Sequence, residues 1–458
     1  EIYTLSLHDA LPIYFRLTNL GAEVINISYT GSRSIIHRVI QIDFSSISAF
    51  LTGFSTYPQP LRLRLRIFTI FFLYKQTHQA VRKGELSTIM KLVFDKADLV
   101  KSVGIAMKAV SGKTTMPILE CILIDASSNV IKFTSNDMEL GIETIVTGMI
   151  LERGIVALDA KIFSEIVRKL PDNQVTIETD ENLVTTITCE KAKFNIPGQS
   201  GEDFSYLPIL ETSDCVSISQ FTLKELIRQT IFSIAANENN KLMTGELFEI
   251  KDNTLRVVSL DGHRIAIRRI ELKDSYPDRK VVVPGKTLNE ISKILSGEMD
   301  DQIDIYFSEN HIMFKFDDTT VVSRLIDGEY FRIDQMLSSD YETKVTINKK
   351  EFLSCIDRAT LLVKEGDKKP IIIDIQDGAM ELQINSAMGS MKEEIDINKE
   401  GKDIMIGFNP KFLIDALRVI DDEEISIYLV NPKAPCFIRN EEESYIYLIL
   451  PVNFNSVR

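Results

Sequence analysis

The chain has no tryptophan, and only 5 cysteines and 5 histidines among its 458 residues. Cys121, Cys189, Cys215, Cys355 and Cys436 are odd in number, scattered, and never set in a C-x-x-C pair. That pattern excludes a disulfide scaffold and a zinc site, and it fits reduced core thiols in the cytoplasm. No apolar run reaches the ~18–20 residues needed to cross a bilayer. Positive charge is in deficit as well. A net charge of −14 argues against a protein that coats nucleic acid with its outer surface, but it leaves room for a basic inner face on an acidic body. Nothing is present that reads base edges: there is no Cys/His finger, helix-turn-helix or aromatic RNP pattern. The length fits about three domains, each able to bury a core.

What is present is one helix start, written three times. Ala160 to Leu170, Gly285 to Leu295 and Pro410 to Ile420 align on Lys161, Lys286 and Lys411, which stand 125 residues apart in both intervals. That spacing is far longer than a solenoid repeat and matches a small domain. Each lysine is followed seven positions later by a second basic residue: Arg168, Lys293 and Arg418. Seven residues make nearly two helical turns, so each pair shares a face. A solvated face is the ordinary meaning of surface charge. Recurrence in three diverged copies points instead to three basic faces looking at a common polyanion, through phosphate contacts that are non-specific and salt-sensitive.

Residues 1–89 do not match the rest. They are rich in Ser, Ile, Phe and Arg, and net basic by about four charges, which leaves the remainder near −18. Glu1 to Ile13 resembles translated sequencing-adapter DNA. This segment is expected to be an artefactual or untranslated extension, with Met90 as the start; an Arg-rich targeting arm is the alternative. From Met90 three units follow, at 90–210, 215–338 and 343–458. Each opens with a short strand and a helix: Lys91–Phe94 then Asp95 to about Val110, Val216–Phe221 then Thr222–Ala236, and Lys344–Ile347 then Asn348–Val363. Asp95 is placed as an N-cap. Alternating strands lead into the basic helix, and further strands close the unit at Gln174–Glu178, Gln302–Tyr306 and Glu424–Tyr428. The class is α+β, with two helices and antiparallel hairpins per unit. The first helices add Lys101, Lys108, Lys224, Arg228, Lys350 and Arg358 to the basic set.

Two stretches imitate chemistry. Ser111-Gly112-Lys113-Thr114 and Pro284-Gly285-Lys286-Thr287 look like the end of a P-loop, but the upstream glycine it needs is Met107 in one and Lys280 in the other. A turn carrying a basic residue is the better reading. His263 lacks a second ligand or a nucleophile, and Asp261-Gly262 makes it part of a hairpin tip. His311 is read as an ordinary strand or turn residue. The final Tyr445 to Val452 run is β-rich with Pro451 near its end, so its strand stops there. Either it is a buried last strand, or it borders an apolar groove for a partner peptide.

The three units, Pro117-Ile118-Leu119, Asp261-Gly262-His263-Arg264-Ile265-Ala266 and Leu450-Pro451-Val452 together resemble the bacterial DNA polymerase III beta subunit, the sliding-clamp family, from Met90 to about Phe454. The resemblance implies a head-to-tail homodimer closing a ring of six similar domains around duplex DNA, with helices lining the hole. It implies a non-catalytic processivity subunit that needs no cofactor or metal and works in the cytoplasm. Its partners would be the polymerase III catalytic subunit, the clamp loader and repair polymerases, held through short peptide motifs. By position, their pocket would be Met243, Leu260, Gly262, His263, Arg264, Ile265, Phe331, Met336, Pro435, Leu448, Ile449, Leu450, Pro451 and Val452. Phe331 and Gln335 replace a common Pro and Arg there, and Asn453 replaces a usual Arg. Lys113 and Asn237 fall in loops where the family contacts DNA, although Lys241 and Leu242 replace tyrosines. At the ring seam the strand bearing Phe194 and Ile196 would meet the helix bearing Leu361 and Leu362. The competing readings are a peptide-binding hub that forms no ring, and a phosphotransferase using the Gly-Lys-Thr turns.

Overall fold

A computed structural model describes residues 90–112, 114–210, 215–236, 240–363 and 369–454. The readings on residues 1–89, on Lys113 and on Asn237 lie outside the described residues. Ser87–Arg458 forms one compact unit.

Six α-helices occur among the described residues, two per repeat: α1 Lys96–Ala106, α2 Ala160–Lys169, α3 Gln220–Thr230, α4 Gly285–Ile294, α5 Lys349–Thr360 and α6 Pro410–Val419. Their starts follow from local chemistry. The first backbone N–H groups of a helix lack intrahelical acceptors, and a short polar side chain supplies one. Asp159 accepts from Ile162 N at 2.7 Å, Ser219 from Thr222 N at 3.0 Å, Asn348 from Glu351 N at 3.1 Å and Asn409 from Lys411 N at 3.1 Å. Asp95 does occupy the cap position of α1, but its carboxylate accepts no bond from the helix. Pro410 sits at the first turn of α6, where its missing N–H costs nothing.

Three apolar cores lie between helices and sheets, one per repeat. The first is built on Phe94, Phe133 and Phe163, whose rings meet edge to face at 6.0 and 6.2 Å. Cys189, Cys355 and Cys436 belong to this packing, Cys121 to a smaller cluster beside it, and Cys215 is half-buried. All five are unpaired, and burial pushes the Cys436 thiol up to about 12, as suits an inert core thiol.

The sheets ignore the repeat boundaries. A 13-stranded sheet joins the first two repeats, a 7-stranded sheet joins the second and third, and a 4-stranded sheet belongs to the third alone. At the first joint Thr319–Arg324 runs antiparallel to Leu140–Val146, with Ser323 opposite Leu140 and the Thr144 and Thr319 hydroxyls 3.0 Å apart. At the second joint Tyr445–Ile449 runs antiparallel to the start of Arg264–Pro284, with Ile449 opposite Arg264. The rule is constant: the last strand of one repeat completes the hairpin edge of the repeat before it. Applied to the ends of the chain, it leaves two edges over. Gly389–Asp396 pairs only with Ala379–Ser386, and residues 192–197 pair only with Val184–Cys189 among the described residues.

Candidate functional site

The second helix of each repeat buries one face and exposes the other. Phe163 and Val167, Leu288 and Ile291, and Leu413 and Leu417 point into the cores. The basic pairs Lys161 and Arg168, Lys286 and Lys293, and Lys411 and Arg418 are all exposed on the opposite side, as the seven-residue spacing requires. Their freedom differs. Lys286 is bonded to Asp137 of the preceding repeat, Lys293 to Glu290 at 2.7 Å, Arg418 to Asp357 at 3.3 Å, and Arg168 to the Ser164 hydroxyl. On the first helices Arg358 is paired with Glu393 and Lys224 donates to Leu295 O at 3.3 Å, while Lys108, in the tighter turn after α1, lies 3.8 Å from Glu290. Lys101, Lys161, Lys350 and Lys411 are exposed and make no side-chain hydrogen bond or ion pair among the described residues. These four are the charges most available to an outside anion.

Arg228 has a different duty from that of a free channel charge. Its guanidinium holds Glu225 at 2.5 Å, Asp421 at 2.8 Å and the Val419 carbonyl at 3.2 Å, so it ties α3 to the end of α6 in the next repeat.

A fourth apolar cluster spans the joint between the second and third repeats. Leu260, Ile265 and Leu448 are buried in it, and Met243 and Phe331 pack on its rim. Tyr330 meets Phe331 edge to face at 5.5 Å. Met336 and Leu450 stay 45% and 37% exposed, so the cluster is open toward them. Pro435, Pro451 and Val452 are half-buried. Gly262 has φ +85° at the hairpin tip, a left-handed conformation that suits glycine. His263 O then accepts from Leu450 N at 2.9 Å, which locks the tip to the final strand. So Met243, Leu260, Ile265, Phe331 and Leu448 of the expected pocket share one cluster, and the His263–Leu450 bond sets the hairpin tip beside the final strand. Ile449 is the correction. Successive strand residues face opposite ways, and Ile449 lies in the core of the third repeat with Cys436 and Tyr447, not with Leu448.

Arg264 is the second correction. Its side chain is only 8% exposed and its donors are spent inside the protein. Nε donates to Asp261 at 3.1 Å, Nη1 to Asp415 at 2.7 Å and Nη2 to Phe232 O at 2.5 Å. The guanidinium lies 5.3 Å from the Phe232 ring and 4.6 Å from the Phe412 ring. His263 stacks on the outer side of Phe412 at 5.9 Å. Thus α6 braces Arg264 and His263 with Phe412 and Asp415, neither of which the sequence reading assigned to the pocket. The signal was available: Asp415 occupies the position of Glu290, and both carboxylates reach back to a basic residue of the preceding repeat.

Glu246 lies close by and is fully buried, with neither carboxylate oxygen hydrogen-bonded. Thr230, the polar neighbour, gives its hydroxyl proton to Leu226 O at 2.6 Å. Burial therefore holds the Glu246 carboxyl protonated well above the usual carboxylate range. The folded state then binds more protons than the unfolded one, so this group costs stability as pH rises from the ordinary carboxylate value toward its folded value. The expected slope is about 1.4 kcal/mol per pH unit inside that window. Glu246→Gln should remove it. Urea unfolding between pH 5 and 8 checks this, and parallel pH profiles for both proteins would refute it.

The comparisons with known proteins follow the same three-part division. The models of the DNA polymerase III beta subunit match in sequence: the N-terminal domain at residues 90–208, the central domain at 217–331 and the C-terminal domain at 334–453. The beta sliding clamp of Staphylococcus epidermidis is 33% identical over 375 residues, which is 80% of this chain and 99% of that one. A crystal structure described as a DNA polymerase III beta subunit from Eubacterium rectale is 72% identical, with TM-score 0.78, covering 80% of this chain and all of the other. The DNA polymerase sliding clamp of Bacillus subtilis is 35% identical with TM-score 0.77 at the same 80% coverage.

Proposed function

The chain belongs to the DNA polymerase III beta subunit family, the bacterial sliding clamps, and from that premise we propose how its residues divide the work. The protein is a DNA sliding clamp. It encircles duplex DNA as a homodimer, tethers the replicative polymerase and recruits other replication proteins, and it is a non-catalytic subunit. The repeats are drawn at 90–210, 215–338 and 343–458.

The observation that best supports a ring is the strand-pairing rule. Two joints in the chain are made by a closing strand on a hairpin edge, and one edge of each kind is left unused among the described residues. A second copy supplies what each end lacks, and two such seams close the circle without an open sheet edge at either. Phe194 and Ile196 on one side, and Leu361 and Leu362 on the other, are the apolar groups we assign to the seam. The exposed lysines of the helices are assigned to the channel, together with Lys113 and Asn237. Because enclosure rather than affinity holds the DNA, their contacts can be weak and the duplex can slide. Leu260, Ile265, Phe331, Met336, Leu448 and Leu450 are assigned to the peptide pocket. The cytoplasm is the compartment proposed, and no described helix is long and apolar enough to cross a membrane.

The test is topological. Clamp loaded onto nicked circular duplex is expected to stay bound through a high-salt wash, and to leave when the circle is cut. A variant with Lys161, Lys350 and Lys411 replaced by alanine should still be retained on circles, yet should show a shallower salt dependence of direct binding to short duplex. Equal retention on cut and uncut DNA would rule out encirclement.

A further inference from the structure

The segment that carries Phe331 and Met336 keeps its backbone hydrogen bonds to itself. Ile333 N donates to Phe331 O at 2.9 Å, Gln335 N to Arg332 O at 3.2 Å and Met336 N to Ile333 O at 2.8 Å. Tyr330 and Ile333 sink into the cluster that spans the second joint. The single turn Ile333–Gln335 also carries Asp334, whose carboxylate accepts from Arg256 Nη1 at 2.6 Å. Arg256 stands on strand Gly245–Leu260. Successive strand residues alternate, so it shares a face with Val258 and Leu260 of that same cluster.

Arg256 is fixed from behind. Its side chain is 13% exposed, and Nη2 meets Glu249 at 2.5 Å. Glu249 lies opposite Lys280 in the hairpin and meets its ammonium at 2.8 Å. Two positive and two negative groups thus balance. Three of them stand on the two strands of one hairpin, and the fourth, Asp334, rides on the crossing segment. The guanidinium is in place before Asp334 arrives, so the pair has to immobilise one short side chain rather than two long ones. The Arg256 hydrogen bond, with Lys280 and Arg269 behind it, holds the Asp334 carboxyl below the usual carboxylate range, so the pair stays charged at neutral pH.

We propose that Arg256 is a positioning residue of the peptide site: through Asp334 it sets where the 331–336 segment rests, and so holds Phe331 and Met336 as one wall of the pocket. The proposal rests on the peptide-pocket reading above and deepens it. Removing the Asp334 charge leaves Arg256 still paired with Glu249, so no buried charge is stranded, and the segment is released while the fold is spared.

The test uses the full chain and a fluorescein-labelled pentapeptide of alanines and leucines ending in phenylalanine, read by anisotropy. Asp334→Asn is expected to bind it about fivefold more weakly than the parent. Its urea midpoint should match the parent's, since Asp334 is 74% exposed. Asp334→Glu, which restores a carboxylate within reach of Arg256, should bring affinity back to within about twofold of the parent. Without peptide, the Met336 amide should exchange its hydrogen faster in Asp334→Asn than in the parent. Equal affinity in parent and Asp334→Asn overturns the positioning role alone. So does a loss that Asp334→Glu fails to repair with Met336 exchange unchanged. Failure of the peptide to bind the parent overturns the pocket reading, and the role given to Arg256 with it.

Discussion

Arg264→Ala is expected to cost about 3–5 kcal/mol of stability and to abolish peptide binding, although the guanidinium is buried and bonded within the protein. The side chain is one bracket with three receivers: Asp261 on its own hairpin, Asp415 on α6 and the Phe232 carbonyl after α3. Removing it strands two carboxylates that are only 15% and 21% exposed, and unseats the two rings that sandwich it. The His263 ring then loses the fixed Phe412 surface on which it stacks. Arg264→Lys should recover only part of the loss, because one ammonium cannot reproduce the flat fork that reaches Asp261 and Asp415 together. Asp415→Asn should be milder, since it leaves a neutral hydrogen-bonding partner in place. Urea unfolding followed by circular dichroism, with peptide anisotropy on the same samples, decides the matter. A loss below about 1 kcal/mol would mean that the bracket is ornamental.

Leu361→Asp is expected to leave the monomer as stable as before and to weaken dimerisation by at least about a hundredfold. Leu361 is 74% exposed at the end of α5, so its replacement breaks no packing within one chain, and the fold should feel less than about 0.5 kcal/mol. In the seam it would face the neighbourhood of Phe194, itself 40% exposed on a strand segment that pairs on one side only among the described residues. A carboxylate buried there would have no counter-charge among these apolar groups. Sedimentation should then show monomer at concentrations where the parent is dimeric, and retention on circular DNA should fall with it. A variant that sediments as dimer at submicromolar concentration would move the seam elsewhere.

The repeat was legible in the sequence because it is written in periodicity, whereas the clamp architecture came from the family resemblance. Lys161, Lys286 and Lys411 mark equivalent helix starts, and the helix and strand segments were placed within a few residues of their observed limits. The helix ends were drawn too long, since the chain after α1, α3 and α5 tightens or breaks rather than continuing as α-helix. Pairing between repeats was not legible, because backbone hydrogen bonds carry no residue signature and Thr319–Arg324 reads like any other strand. Burial of charge was equally hidden. Arg264 and Arg228 look in sequence like Lys161, yet the first two are consumed by carboxylates that arrive from 151 and 193 residues away. The face of Ile449 was misassigned because a transferred pocket list ignores strand alternation.

The direction of strand addition has a further consequence. Each joint is made head to tail, so rotation about the axis of the hole relates the two subunits and leaves both with the same side up. The proposed ring would therefore have two unlike rims, and its symmetry would put both assigned peptide pockets on the same one. Two partners bound together would be confined near the same few turns of duplex. Each would meet the DNA at an effective concentration set by its tether rather than by the bulk solution. Exchange between them then becomes a matter of which pocket is emptied first, with no need for either partner to find the DNA again.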